Sequence, residues 1–141
     1  MLLDTNVISE TMKRRVDPVV AAFIDQQQIE ELFLPSLVAA EIRYGLRRLP
    51  SGRRRHDIEA DFAAFLEAGF ASRILPFDDA FAVGYATART VRERAGRPVS
   101  IQDALIGGMA LAHGATLATR NTADFEGYGL SLVNPWQGTG G

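Results

Sequence analysis

Three carboxylates, Asp4, Glu41 and Asp103, stand where an apolar run ends or a helix presents an edge. Asp4 follows Met1-Leu2-Leu3 directly. Glu41 flanks the apolar stripe of a helix opening at Ser36, between Leu37 and Tyr44 on the helical wheel. Asp103 lies three residues after Ser100. A fourth position is ambiguous, because Thr119-Arg120-Asn121-Thr122-Ala123-Asp124 offers both Asn121 and Asp124 after a further short apolar run. Each has a purely structural reading. Asp4 fits a turn or a helix cap shared with Thr5 and Asn6, and Glu41 fits a solvated helix edge. Ser100-Ile101-Gln102-Asp103 has capping-box spacing, with the acid favoured by the helix dipole. Asn121 or Thr122 fits the cap of a short helical turn. Capping leaves room for metal ligation, since a carboxylate has several lone pairs.

Should folding bring these acids together, their chemistry changes. Carboxylates about 5 Å apart at an effective dielectric near 20 repel by roughly 3 kcal/mol per pair. They escape that cost by raising their pKa values or by holding a divalent cation. The chain has no cysteine, and its two histidines, His56 and His113, are not paired at metal-ligand spacing. Any metal is therefore held mainly by oxygen, which favours magnesium, manganese or calcium over zinc. An open magnesium site activates water and offsets charge on a phosphodiester undergoing displacement. The absence of cysteine also excludes disulfides and thiolate zinc sites and agrees with a reducing cytosol.

The elements that must position these groups alternate between strand and helix. Met1–Leu3 reads as a buried strand. Asp17-Pro18 starts a helix, as N-cap and first helical residue, with Val19, Val20, Phe23 and Ile24 as its stripe. Leu32–Leu34 reads as a second strand, stopped by Pro35. The helix from Ser36 carries Val38, Ile42, Gly45, Leu46 and Leu49 and is broken by Pro50-Ser51-Gly52. The basic stretch Arg53–His56 leads into a helix with Ile58, Phe62, Phe65 and Leu66 on one face. Ile74-Leu75 is a third strand. Asp78 or Asp79 caps a helix with Phe81, Gly84, Tyr85 and Ala88 inward, ended by Gly96-Arg97-Pro98. Ser100 starts the next, which runs to about His113 and stops at Gly114. Thr116–Thr119 and Leu130–Val133 complete the strands. Such alternation predicts an α/β fold, a sandwich with a mostly parallel sheet. Ligands in such sheets sit at the carboxyl ends of the strands, where Asp4 and Asn121 both fall.

The four segments together resemble bacterial PIN-domain toxins of the VapC type, most closely the FitB-like branch. The match runs in order through Leu3-Asp4-Thr5-Asn6-Val7-Ile8-Ser9-Glu10, Val38-Ala39-Ala40-Glu41-Ile42-Arg43-Tyr44-Gly45, Asp103-Ala104-Leu105-Ile106, Leu117-Ala118-Thr119-Arg120-Asn121 and the chain-end Asn134-Pro135-Trp136. This resemblance implies a three-layer α/β/α sandwich and cleavage of RNA with Mg2+, or alternatively Mn2+. It implies metal ligation by Asp4 and Asp103 with Glu41 close by, and Asn121 lining the site. It also implies a homodimer, an antitoxin protein with a DNA-binding domain that inserts a segment near the active site, and a bacterial cytoplasmic setting. The chain departs from its relatives at Asn121, a position commonly acidic in that branch. Asp124 compensates only if its loop turns it inward. An alternative reading is a weakly active or inactive module that binds an antitoxin and modulates operator DNA binding.

Thr5 and Thr119 read either as partners of the carboxylates or as ordinary strand-end hydroxyls. Seventeen acidic against fifteen basic residues leave a net charge of −2, so whole-protein electrostatics do not draw in a nucleic acid. Binding of RNA falls instead to local clusters. Arg43 and Arg47, four apart on the helix of Glu41, are the candidates for phosphate contact, against the commoner solvated face. Arg120 is a candidate partner for a site acid. Tyr44, Tyr85, Tyr128 and Trp136 read as core, and Gly107-Gly108 as close helix packing rather than a phosphate loop. A charge at Asp4 interrupts any signal-peptide core, and no span is apolar enough for a membrane. Residues 1–136 are expected to form one domain, followed by a flexible tail at 137–141.

Overall fold

The computed structural model describes residues 1–97 and 99–137. Pro98 and the tail residues 138–141 lie outside the described residues. The architecture is the expected α/β/α sandwich, built from strands of only two residues each. They are β1 (Leu2–Leu3), β2 (Leu34–Pro35), β3 (Ile74–Leu75), β4 (Leu117–Ala118) and β5 (Leu132–Val133). β1 pairs with β4, β4 with β5 and β2 with β3, every pair parallel. Phe33 bridges Leu2, donating to the Met1 carbonyl at 2.9 Å and accepting from Leu3 at 3.1 Å. The two pieces thus form one sheet in the order β3-β2-β1-β4-β5. From β1 the chain first runs out to one side and then returns to the other. The switch point falls between β1 and β4, and the crevice at their carboxyl ends is where open parallel sheets take ligands.

Helices α1 (Thr5–Thr11), α2 (Pro18–Asp25), α3 (Ser36–Arg47), α4 (Arg53–Phe70), α5 (Asp79–Arg94) and α6 (Ile101–His113) flank the sheet. Their ends follow from local chemistry. Asp17, Asp78 and Ser100 cap α2, α5 and α6 through side-chain oxygens that accept from Val19, Phe81 and Asp103 amides. Gly114 closes α6 in the left-handed conformation, φ 57°. The core gathers Leu2, Leu3, Val7, Ile8, Leu34, Val38, Phe62, Phe81, Ile106, Met109, Leu117 and Phe125, all buried.

Several boundaries differ from the sequence expectation. α1 follows β1 with no turn between, because Asp4 ends the strand and caps the helix at once. β2 starts at Leu34 rather than Leu32, since Leu32 closes a 3-10 turn over Ile29–Glu31. The three arginines 53–55 are the first turn of α4 rather than a lead-in. That places positive charge at the unfavourable end of the helix dipole, which the i,i+4 pairs Arg53–Asp57 and Arg55–Glu59 partly offset. Leu49 lies past the end of α3 and is exposed. Tyr44 is 66% exposed instead of joining the core. Gln137 closes a 3-10 turn, Pro135–Gln137, rather than opening the tail.

α5 and α6 pack along much of their length. Gly84 and Gly108 make this contact possible, because a Cβ on Gly84 would overlap the Gly108 carbonyl and one on Gly108 would overlap the Tyr85 backbone. The expected close packing at Gly107-Gly108 is therefore real, and it holds α6, with Asp103 in its first turn, firmly against α5.

Candidate active site

Asp4 sits at the carboxyl end of β1 and is 5% exposed. Its backbone amide completes the sheet by donating to the Ala118 carbonyl at 3.0 Å. Oδ1 accepts from the Thr5 amide at 2.7 Å, the N-cap bond of α1, and Oδ2 accepts from the Thr119 hydroxyl at 2.8 Å. Thr119 is fully buried at the end of β4. The two adjacent strand ends of the switch point are thus tied by a hydroxyl–carboxylate bond, and the strand-end threonine has a definite partner.

Glu41 reaches the same crevice from α3. Its Oε2 accepts from the Thr5 hydroxyl at 2.5 Å, while Oε1 is buried with no hydrogen-bond partner. Beside it opens a hollow of about 270 Å³ lined by Thr5, Ser9, Met12, Ile42 and Leu46. Asn6 belongs to the site although sequence reasoning used it only as a possible cap. Its Nδ2 reaches Asp4 Oδ2 and Thr119 Oγ1, each at 3.4 Å, and its Oδ1 accepts from the Arg120 amide at 3.2 Å. The signal was present in its place two residues after a strand-ending aspartate.

Asp103 is half-buried in the first turn of α6, its amide donating to Ser100 Oγ at 3.0 Å. Ser100 thus caps α6 through this amide, as its spacing predicts, and the Asp103 carboxylate feels the charges of other acids. Burial raises the Asp4 pKa, opposed by the bonds from Thr119 and Thr5 and reinforced by repulsion from Glu41 and Asp124. Burial likewise raises Asp103; Ser100 opposes it, Asp124 and Asp4 reinforce it, and the Arg92 charge lowers it. Asp4 thus feels Glu41, Asp124 and Asp103, which come from three other elements. Among the described residues, however, no three His, Asp or Glu side chains are gathered closely enough to hold a metal ion by themselves.

The remaining candidates spread around this pocket. Asn121 is exposed and held through its backbone, donating to Thr119 Oγ1 at 3.1 Å and accepting from the Asp124 amide at 3.0 Å. Asp124 is exposed in the 3-10 turn Thr122–Phe125, and its charge adds to the upward shifts of Asp4 and Asp103. Arg43 and Arg47 line a separate hollow of about 240 Å³ between α3 and α4 with Leu46, Glu59 and Phe62, and Arg47 pairs with Glu59 at 3.6 Å. Leu46 borders both hollows. Arg120 pairs with no site acid; its guanidinium lies over the Trp136 ring at 4.8 Å, because the last 3-10 turn brings that face beside it. No helix is long and apolar enough to cross a membrane among the described residues.

Comparison with known proteins gives the family. The PIN domain family matches residues 1–129. The chain is 39% identical over 137 residues to VapC ribonuclease Y4jK of Sinorhizobium fredii, covering 97% of this chain and 98% of the relative. It is 34% identical over 136 residues to Toxin FitB of Neisseria gonorrhoeae, covering 96% and 98% respectively. The solved structure of FitAB bound to an IR36 DNA fragment superposes with a TM-score of 0.89 at 34% identity, covering 96% of this chain and 94% of that one. With the family model matching residues 1–129 and a 39%-identical relative covered almost end to end, the protein belongs to the PIN-domain family.

Proposed function

We propose that this protein is a metal-dependent endoribonuclease and the toxin of a type II toxin–antitoxin pair, with its active site at the Asp4 crevice. The observation that carries the reading is the linkage at the Asp4 crevice: Thr119 from β4 and the Thr5 amide bind the buried Asp4 carboxylate, and the Thr5 hydroxyl ties in Glu41 from α3, whose Oε1 is buried without a partner. The names of the relatives, a VapC ribonuclease and a FitB toxin, point the same way.

The donor set fits a hard divalent cation, Mg2+ or Mn2+. It consists of carboxylate, hydroxyl and amide oxygens, and Glu41 Oε1 is buried and otherwise unmet. Magnesium needs only one or two carboxylates and keeps several waters, so a complete protein cage is not required. Asp4 and Asp103 would hold the ion, with Glu41 beside it as ligand or orienting group. When bound, the ion supplies positive charge against the phosphodiester and lowers the pKa of water. Thr5 fixes Glu41 through Oε2, which leaves the buried Oε1 as the carboxylate oxygen without a partner. Thr119 and the Thr5 amide hold both Asp4 oxygens in one orientation. Asn121 lines the site as an uncharged group, and Arg43 and Arg47 contact RNA phosphates.

The similarity to FitAB bound to a DNA fragment supports an antitoxin partner that engages DNA; a toxin homodimer and a bacterial cytoplasmic setting are further parts of this proposal. A second reading, a co-regulator of operator binding with little catalysis, is favoured by the amide at Asn121. Incubating the purified chain with total RNA, with and without millimolar Mg2+, separates the two. Metal-dependent fragments that vanish in Asp4→Asn, with the fold intact by circular dichroism, are expected. Parental cleavage by Asp4→Asn would overturn the active-site assignment, and no calorimetric metal binding would favour the second reading.

A further inference from the structure

Arg92 is 6% exposed, an unusual state for an arginine, and it lies on α5 rather than on any element that carries an acid of the site. Its Nη1 donates to the Glu126 carbonyl at 2.9 Å and the Ala123 carbonyl at 3.5 Å. Its guanidinium also lies over the Tyr128 ring at 5.7 Å. These contacts bracket Asp124. Within the same segment Phe125 and Tyr128 are buried and meet edge to face at 6.4 Å. Tyr128 closes against Gly107, where a Cβ would come within 3.0 Å of its ring, one helical turn from Asp103. Arg97 adds an ion pair to Glu126 at 3.4 Å. The segment is thus anchored on α5 and α6, and Asp124 at its start is linked to the site through the backbone: its amide donates to the Asn121 carbonyl, the Asn121 amide donates to Thr119 Oγ1, and that hydroxyl donates to Asp4.

From this arrangement we infer that Arg92 is a positioning residue that clasps residues 123–128 and thereby sets Asp124 as the fourth acid of the site, in the place that Asn121 leaves uncharged. The inference rests on the metal-site reading above for the role of Asp124, but the clasp itself does not. Arginine suits the task because its Nη1 meets both carbonyls while the planar guanidinium lies over the Tyr128 ring, a flat contact that the compact ammonium of a lysine does not reproduce. Its charge also lies near enough to act on Asp103, opposing the repulsion from Asp124 and Asp4. A neutral residue of similar size would remove the clasp and that balance at once.

The test uses the full chain with Arg92→Gln, Arg92→Lys, Asp124→Asn and the Arg92→Gln/Asp124→Asn double variant. Backbone order parameters of residues 122–128 in metal-free protein read the clasp. Mn2+ affinity by calorimetry reads the site. Arg92→Gln is expected to drop the order parameters from about 0.85 toward 0.6, with α6 unchanged, and to weaken Mn2+ about tenfold, as loss of a supporting partner does. Asp124→Asn, an exposed change that spares the fold, should weaken Mn2+ comparably without loosening the segment. The double variant should be no weaker than either single. Arg92→Lys should recover less than half of the lost order; it also serves should Arg92→Gln fail to fold. Unchanged order in the Arg92 variants overturns the clasp. Additive losses in the double variant, or parental Mn2+ affinity in Asp124→Asn, overturn the coupling to Asp124. A parental protein that binds no Mn2+ overturns the metal-site reading and the role of Asp124 with it, while the order parameters still decide the clasp.

Discussion

Asp4 ends a strand, caps a helix and faces other acids, and those roles pull against one another. Its cap and threonine bonds favour the charged form, whereas burial, Glu41 and Asp124 disfavour it, and the balance raises its pKa. The folded state therefore binds this proton more tightly than the unfolded chain does. That contribution to stability is fully present below the ordinary carboxylate range. It is lost as pH rises through that range to the raised folded value, and without a counter-ion the penalty persists at neutral pH. Asp4→Asn keeps a capping oxygen and removes the charge. Metal-free Asp4→Asn should melt higher than the parent at pH 7, by roughly 2–4 °C for each kcal/mol relieved, and show no such gain near pH 3. An equal shift at both pH values would mean that charge is not the cause.

At the scale of elements, the contact between α5 and α6 carries the strongest demand. Gly84 and Gly108 meet backbone to backbone, so an alanine at Gly84 has to push the helices apart. Overpacking of this kind costs about 1–3 kcal/mol, and more where the neighbour cannot move. Gly45 on α3 is the contrast, with open space where a Cβ would go. There Gly45→Ala should stabilise by roughly 0.5–1 kcal/mol through helix propensity. Chemical denaturation of the two variants checks both signs. The Gly84→Ala loss should be accompanied by weaker activity, since α6 carries Asp103 and α5 carries the Arg92 clasp.

For the whole molecule, a net charge of −2 conceals an uneven distribution. Arg43, Arg47, Arg48, Arg53, Arg54 and Arg55 gather at the junction of α3 and α4, beside the helix that brings in Glu41. Association with RNA would then depend on a local field and on ionic strength. If Arg43 meets a phosphate, Arg43→Ala should raise KM with kcat little changed. It should also flatten the slope of log KM against log salt by roughly 0.7, the single-strand value per contact. A parallel line displaced at all salt concentrations would argue that the arginine acts on the fold instead.

Much of this was legible in the chain. Caps at Asp17-Pro18, Asp78 and Ser100 and the stop at Gly114 lie where short-range hydrogen bonding requires them, because each needs only neighbours three or four residues away. The absence of cysteine and the types of the acids determined that any metal is held by hard oxygen. α1 escaped notice because seven residues fused to a strand end show neither a separate cap nor two turns of periodicity. Two-residue strands are too short for alternation to show their register or order. Distances across the fold are decided by pairing and packing between segments far apart in sequence. Only folding could therefore bring Thr119 onto Asp4, send Arg120 to Trp136 instead of an acid, and lay a buried arginine from α5 across the loop of Asp124.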